Sequence, residues 1–121
     1  MTWSQEQLNR IRAADELEIA ARHSDGSLHR WTPIWAVVVG DQVYVRTWYR
    51  RETGWFGRAL QSGRARVRVP GLEMDVTIED VGADQDGVDA AYEAKYRRYG
   101  ASSVNRMVAP EAADTTLRLR A

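Results

Sequence analysis

The chain contains no cysteine, only three prolines and a single phenylalanine. Without cysteine it has neither a disulfide framework nor a thiolate metal site. No apolar run approaches the roughly 20 residues that cross a bilayer as a helix, and the first residues lack the apolar segment of a signal peptide. We therefore expect a cytoplasmic protein with no membrane segment, whose 121 residues form one domain, 1–121.

Charge is balanced over the whole chain but not along it. Lysine plus arginine and aspartate plus glutamate each number 17, which argues against a general nucleic-acid binder. Residues 30–68 nevertheless hold eight arginines, four of the five tryptophans and only two acids, Asp41 and Glu52. Arginine binds phosphate or carboxylate through two hydrogen bonds, and indole rings stack on planar groups. The segment therefore predicts a site for an anionic, planar ligand.

The hydrophobic pattern predicts an α+β fold. Ser4 and Gln7 form a capping box that begins a helix at about Gln5. Further helices are predicted at residues 55–62 and from the acid-rich stretch at Asp84 to just before Gly100. Short strands separated by turn residues are predicted at residues 17–21, 28–31, 34–39, 43–49, 65–69, 72–81 and 115–120. The expected architecture is a small, mostly antiparallel barrel of six or seven strands with two or three peripheral helices.

One hairpin accounts for part of the arginine excess. With a two-residue loop at positions 70–71, Arg68 lies opposite Glu73 and Arg66 lies opposite Asp75. Opposite charges on facing strands stabilise a sheet without any ligand. These arginines are therefore predicted to form a charged ladder on the outer face.

A second hairpin, with its loop at positions 40–41, predicts that Arg46 has no acidic partner on the facing strand. Its register places Arg46 across from Trp35 and on the same face as Tyr44 and Trp48, with no acid in either strand. Such an arginine favours an anionic ligand, although a surface cation–π pair would explain it equally. If the side chain lies on a non-core face, Arg46→Ala abolishes ligand binding at little cost in stability.

The loop after this hairpin is also basic. Arg50 and Arg51 precede a helix that begins at Trp55 and carries Arg58. Free backbone N–H groups at a helix start attract anions, so a phosphate is predicted here, the alternative being a solvated loop. The chain has no HExxH, P-loop, GxSxG or GxGxxG motif, so neither a catalytic residue nor a metal ligand is predicted.

The central segment resembles a known group of proteins. RWTP at residues 30–33, the strand pair IWAVVVGDQVYVRTWY, the helix WFGRAL and the strand RARVRV are similar to deazaflavin-dependent nitroreductases of the split β-barrel flavin-binding superfamily. The segments WSQEQLNRIRAADELEIA and AYEAKYRRYGASSVNRMVAPEA resemble more closely a small, uncharacterised bacterial domain family related to that group.

The resemblance implies a split barrel, often a homodimer, that binds FMN or a deazaflavin by its phosphate and its ring. The R-x-T-P stretch, the strand end beside the cofactor and the helix on the phosphate side each have matching positions here. The chain departs from the pattern at residues 23–27, which replace a G-x-x-[ST]-G turn. Together with the residues reasoned above, the expected cofactor site comprises Arg30, Trp31, Thr32, Pro33, Trp35, Arg46, Thr47, Trp48, Arg50, Arg51, Trp55 and Arg58.

Three functions are compatible with these features. The first is a flavin- or deazaflavin-dependent oxidoreductase that acts on a small-molecule substrate. The second is a cofactor-free enzyme that binds an anionic small substrate in the same groove. The third is a barrel that binds single-stranded nucleic acid through stacked tryptophans and arginine–phosphate contacts.

Overall fold

The computed structural model describes residues 2–47, 54–83 and 85–121. In these ranges, five α-helices and one 3₁₀ turn, Arg97–Tyr99, accompany seven β-strands. The helices are α1 (Gln5–Ala13), α2 (Gly54–Ser62), α3 (Val88–Tyr96), α4 (Ala101–Val108) and α5 (Pro110–Ala113). The strands are β1 (Leu17–Ala21), β2 (Thr32–Ile34), β3 (Ala36–Val39), β4 (Gln42–Val45), β5 (Arg64–Val69), β6 (Leu72–Asp80) and β7 (Leu117–Arg120).

The seven strands form one antiparallel sheet that curls into a nearly closed barrel. Their order is β2-β1-β5-β6-β7-β4-β3, so two strands that are consecutive in the chain lie at opposite ends of the sheet. Only Trp35 separates them, which brings the two ends of the sheet together at this residue. The fold is the α+β barrel that the sequence predicts.

The single strand predicted at residues 34–39 is wrong. Ile34 pairs with Leu17 in β1, whereas Ala36 pairs with Val45 in β4, so the chain changes partner at Trp35. The strand predicted at residues 28–31 is also wrong, because the second strand is β2, Thr32–Ile34, and it contains Pro33. Proline is tolerated there because β2 has a partner on one side only and its missing N–H leaves no ladder position empty.

Local signals in the sequence explain the elements that were predicted correctly. The Ser4 hydroxyl accepts a hydrogen bond from the Gln7 N–H, and the Gln7 side chain accepts one from the Ser4 N–H, so the capping box begins α1 as expected. Both hairpin registers are confirmed, with Val69 opposite Leu72 and Val39 opposite Gln42. Each turn contains a glycine with positive φ, which L side chains rarely adopt.

The sheet buries side chains on both of its faces. The barrel interior is filled by apolar residues of all seven strands, together with Leu8 and Ile11 of α1 and Phe56 of α2. A second core lies outside β3 and β4, where α3 and α4 cover the sheet; it contains Val37, Tyr44, Val88, Tyr92, Tyr96, Val104 and Met107. The prediction that this outer face is not part of a core is therefore wrong.

The helices that build the second core were only partly predicted. The sequence indicates a helix that ends before Gly100, and α3 with the following 3₁₀ turn occupies that place. The helices α4 and α5, which follow directly, were not predicted. None of the helices in the described parts of the chain is long and apolar enough to cross a membrane.

Candidate functional site

A cleft of about 630 Å³ opens at the place where the two ends of the sheet meet. Its walls come from β2 and Trp35, from the residues after β4, from the first turns of α2 and from α4. A volume of this size suits a small-molecule ligand or cofactor. The lining residues are Glu16, Arg30, Thr32, Pro33, Ile34, Trp35, Arg46, Thr47, Gly54, Trp55, Arg58, Ser103, Arg106 and Met107.

Most of the site residues expected from the sequence meet in this cleft. Those that line it are Arg30, Thr32, Pro33, Trp35, Arg46, Thr47, Trp55 and Arg58. Trp31 is placed elsewhere: its indole ring packs against the Arg68 guanidinium, whose central carbon lies 4.0 Å from the ring centroid. Residues 48, 50 and 51, which complete the expected set as Trp48, Arg50 and Arg51, lie outside the described residues.

Trp35 is held in the cleft wall by two tyrosines of α3. Its indole stacks on the Tyr96 ring, with centroids 4.1 Å apart and planes 5° from parallel. The Tyr92 hydroxyl donates to the Trp35 carbonyl oxygen at 3.0 Å, and the Tyr96 hydroxyl donates to the Ala36 carbonyl at 3.1 Å. Burial raises the pKa of both phenols well above their usual range. Both tyrosines therefore stay protonated and position Trp35 as hydrogen-bond donors.

Arg46 reaches the cleft from a buried position in which its charge is already paired. The residue is 2% exposed. Its Nη1 atom donates to the Asp89 carboxylate at 2.5 Å and to the Met107 carbonyl at 2.9 Å, and its Nε donates to the Thr116 hydroxyl at 2.8 Å. Asp89 lies in the first turn of α3. The expectation of an arginine on a non-core face without an acid partner is wrong, because α3 brings a carboxylate to it from outside the hairpin.

The register predicted for the hairpin around positions 70–71 is confirmed, but its ion pairs differ from the predicted ones. Arg66 lies opposite Asp75 and forms ion pairs with both Asp75 and Glu73. Arg68 lies opposite Glu73 but pairs with Glu18 of the neighbouring strand β1, at 2.9 Å. Neither arginine lines the cleft.

Arg30 and Arg58 are the cationic groups of the cleft that remain open to a ligand. Over residues 2–47, 54–83 and 85–121, neither side chain forms an ion pair or a hydrogen bond. Glu16 is the one acid among the lining residues that the structure describes. Burial lowers the pKa of His29, and the charges of His23 and Arg58 lower it further, so this imidazole beside the cleft favours its neutral form.

Comparison with protein families identifies the chain. The family model described as an uncharacterized protein conserved in bacteria, DUF2255, matches residues 7–119. The chain belongs to the DUF2255 family. This confirms the small bacterial domain family that the terminal segments resemble. Among curated proteins, none matches this DUF2255 chain in sequence.

Solved structures share the fold of this DUF2255 protein at low sequence identity. The heme storage protein HutZ from Vibrio cholerae has a TM-score of 0.63 and 11% identity over 99% of this chain and 90% of its own. An F420 reductase has a TM-score of 0.54 and 13% identity over 93% and 90%. A FAD-binding protein from Mesorhizobium loti has a TM-score of 0.52 and 17% identity over 99% and 89%. The fold is thus the split barrel that the resemblance implies.

Six lining residues of this DUF2255 cleft were not expected from the sequence. Ser103, Arg106 and Met107 come from α4, Glu16 precedes β1, Ile34 belongs to β2 and Gly54 begins α2. The three α4 residues lie at spacings of three and four, which places them on one helical face. That spacing was available in the sequence, but it carries no signal about the cleft until the helix is known to cover β3 and β4. Among the described residues no group of three or more His, Cys, Asp or Glu side chains could hold a metal ion.

Proposed function

We propose that the cleft binds a flavin or deazaflavin cofactor and that the protein uses it to oxidise or reduce a small molecule. One observation carries this proposal: two arginines without a partner in the described chain, Arg30 and Arg58, line the same cleft as two indoles, Trp35 and Trp55. A phosphate and an aromatic ring joined in one ligand would satisfy both sets of side chains.

The residues present fit such a group. Arg30 and Arg58 would bind the phosphate, and Trp35, whose orientation is held by the Tyr96 stack, would flank the ring. The bound ring supplies hydride transfer, while the protein supplies binding, orientation and exclusion of water, so a site without a protein nucleophile is consistent with this chemistry. Two of the proteins that share the fold are described as an F420 reductase and a FAD-binding protein, which supports the choice of ligand.

The test is a titration of the purified protein with FMN, with a deazaflavin and with riboflavin, followed by the change in flavin fluorescence. We expect saturable binding of FMN or of the deazaflavin, and about tenfold weaker binding of riboflavin, because riboflavin lacks the phosphate that the arginines would hold. Arg58→Ala should remove most of the difference between FMN and riboflavin. Absence of binding by both FMN and the deazaflavin would refute the proposal.

The alternatives give different results in the same samples. A cofactor-free enzyme would be stabilised against heat by an aromatic acid while binding no flavin. A nucleic-acid-binding barrel would bind single-stranded oligonucleotides with an affinity that falls steeply with salt concentration. The homodimer implied by the resemblance stays a prediction, which light scattering on the purified protein would check.

A further inference from the structure

The cleft has two ends of different chemistry, and the pairing of β1 with β2 shows how far apart they are. Glu16 directly precedes Leu17, which pairs with Ile34, so Glu16 lies level with Trp35. At the other end of β1, the Ala21 carbonyl accepts a hydrogen bond from the His29 N–H at 2.8 Å. Five residue steps of strand separate these two levels, which corresponds to about 16 Å.

The end beside His29 is basic. Arg30 follows His29 in the chain and lines the cleft. Arg58 is close enough to His29 for its charge to contribute to the lowered pKa of the imidazole, after burial and His23. Both arginines therefore belong to the same end, where an anionic group of a ligand would bind.

The end beside Trp35 contains a carboxylate without a partner in the described chain, whereas Arg46 at the same level is already paired with Asp89. The exposed Glu16 lines the cleft there and forms no ion pair or hydrogen bond with any residue that the structure describes, although the same cleft contains arginines. The pKa of the Tyr96 phenol, raised mainly by burial, is raised further by the charge of Glu16. Because the strand register puts Glu16 level with Trp35, on which the Tyr96 ring stacks, its carboxylate lies at the same level of the cleft as this aromatic pair.

We propose that Glu16 and Trp35 form a specificity subsite for the substrate, which selects a planar group that carries a positively charged N–H donor, such as an amidinium. The carboxylate would accept the N–H hydrogen bonds while the aromatic wall contacts the ring. A carboxylate on the substrate ring would be repelled at the same place. Assignment of this end to the substrate rests on the proposed function, in which the cofactor phosphate occupies the basic end.

The experiment uses three probes of one shape that differ in charge: benzamidine, which is protonated at pH 7, neutral benzamide, and benzoate. Their binding to the whole protein is measured by calorimetric titration, first without a cofactor and then with saturating FMN. We expect benzamidine to bind most tightly, and Glu16→Gln to weaken its binding about tenfold, because the charge-assisted hydrogen bonds are lost. Glu93→Gln removes the same charge from an exposed position on α3 outside the cleft and should leave the affinity unchanged.

The result separates this proposal from the proposed function. Failure of wild-type protein to bind benzamidine, or equal binding by wild type and Glu16→Gln, would overturn the subsite. Equal weakening by Glu16→Gln and Glu93→Gln would overturn it as well, since the effect would then come from net charge alone. If the protein binds no flavin but still selects among the probes by charge through Glu16, the charge-selective subsite stands and the proposed function is refuted.

Discussion

Truncation of Arg46 tests whether this side chain is a structural element of the cleft wall or a free ligand-binding group. Arg46→Ala removes the ion pair with Asp89, the hydrogen bond to the Met107 carbonyl and the hydrogen bond to the Thr116 hydroxyl. The Met107 carbonyl belongs to α4, which forms one wall of the cleft. The substitution therefore loosens the packing of α4 and leaves a void in the second core.

The expected cost follows from the burial of the two charged partners. Removal of one member of a buried ion pair typically costs about 3–5 kcal/mol. Here the Asp89 side chain is 57% exposed and can be hydrated when its partner is lost, so the lower limit applies, about 3 kcal/mol. Against a total stability of about 5–15 kcal/mol this is a large fraction. For a chain of this size it lowers the melting temperature by about 12 °C.

The assay is urea unfolding followed by tryptophan fluorescence, with Asp89→Asn as the matched variant. The carboxamide of Asp89→Asn still accepts a hydrogen bond from Arg46 and remains partly solvated, so we expect a loss of only about 1 kcal/mol. A loss below about 1 kcal/mol for Arg46→Ala would refute the reasoning, since it would show that the guanidinium is not held by its three partners. A change in ligand affinity of Arg46→Ala is informative only after this measurement, because displacement of α4 would also lower the affinity.

Two further predictions concern Lys95 and the outer arginine ladder. Burial lowers the pKa of Lys95 from 10.5 to about 8. Above pH 8 the unfolded chain therefore binds more protons at this residue than the folded protein does, so the free energy of unfolding rises with pH. We expect a rise on the order of 1 kcal/mol between pH 8 and 9.5, below the range in which tyrosines ionise. Lys95→Met should flatten this rise in urea midpoints measured across the window, and an unchanged slope would contradict the assignment. Arg66→Ala breaks exposed ion pairs with Glu73 and Asp75; we expect a loss below about 1 kcal/mol and an unchanged FMN affinity, so a tenfold weaker affinity would contradict its place outside the cleft.

The parts of the fold that sequence could predict are those specified by neighbouring residues. The capping box of Ser4 and Gln7 sets the start of α1 through hydrogen bonds three residues apart. A two-residue turn with Gly71 at a φ of 82° sets the register of the hairpin around it, and with it the face on which Arg66 lies. Such signals act within a few residues, so the local sequence alone determines where the helix begins and which residues of the hairpin face each other.

The parts that sequence could not predict depend on contacts between distant segments. Arg46 and Asp89 are separated by 43 residues, and their pairing requires α3 to dock on the outer face of β3 and β4. The change of partner strand at Trp35 has the same origin, since the run from Ile34 to Val39 is apolar throughout. An apolar run is compatible with one long buried strand or with two short ones, and only closure of the barrel decides between them.

The electrostatic character of the cleft is therefore decided by residues outside it. The sequence presents eight arginines between positions 30 and 68, but Arg66 and Arg68 are paired on the outer face, and Arg46 is paired through the second core. A buried arginine that already has a carboxylate partner attracts a ligand anion far less than one that has none. An anionic group should consequently bind at Arg30 and Arg58 and not beside Arg46, even though all three line the cleft. If the cleft binds a ligand as proposed, Asp89 influences where the anionic group lies without lining the cleft, because it neutralises the arginine that would otherwise compete for the anion.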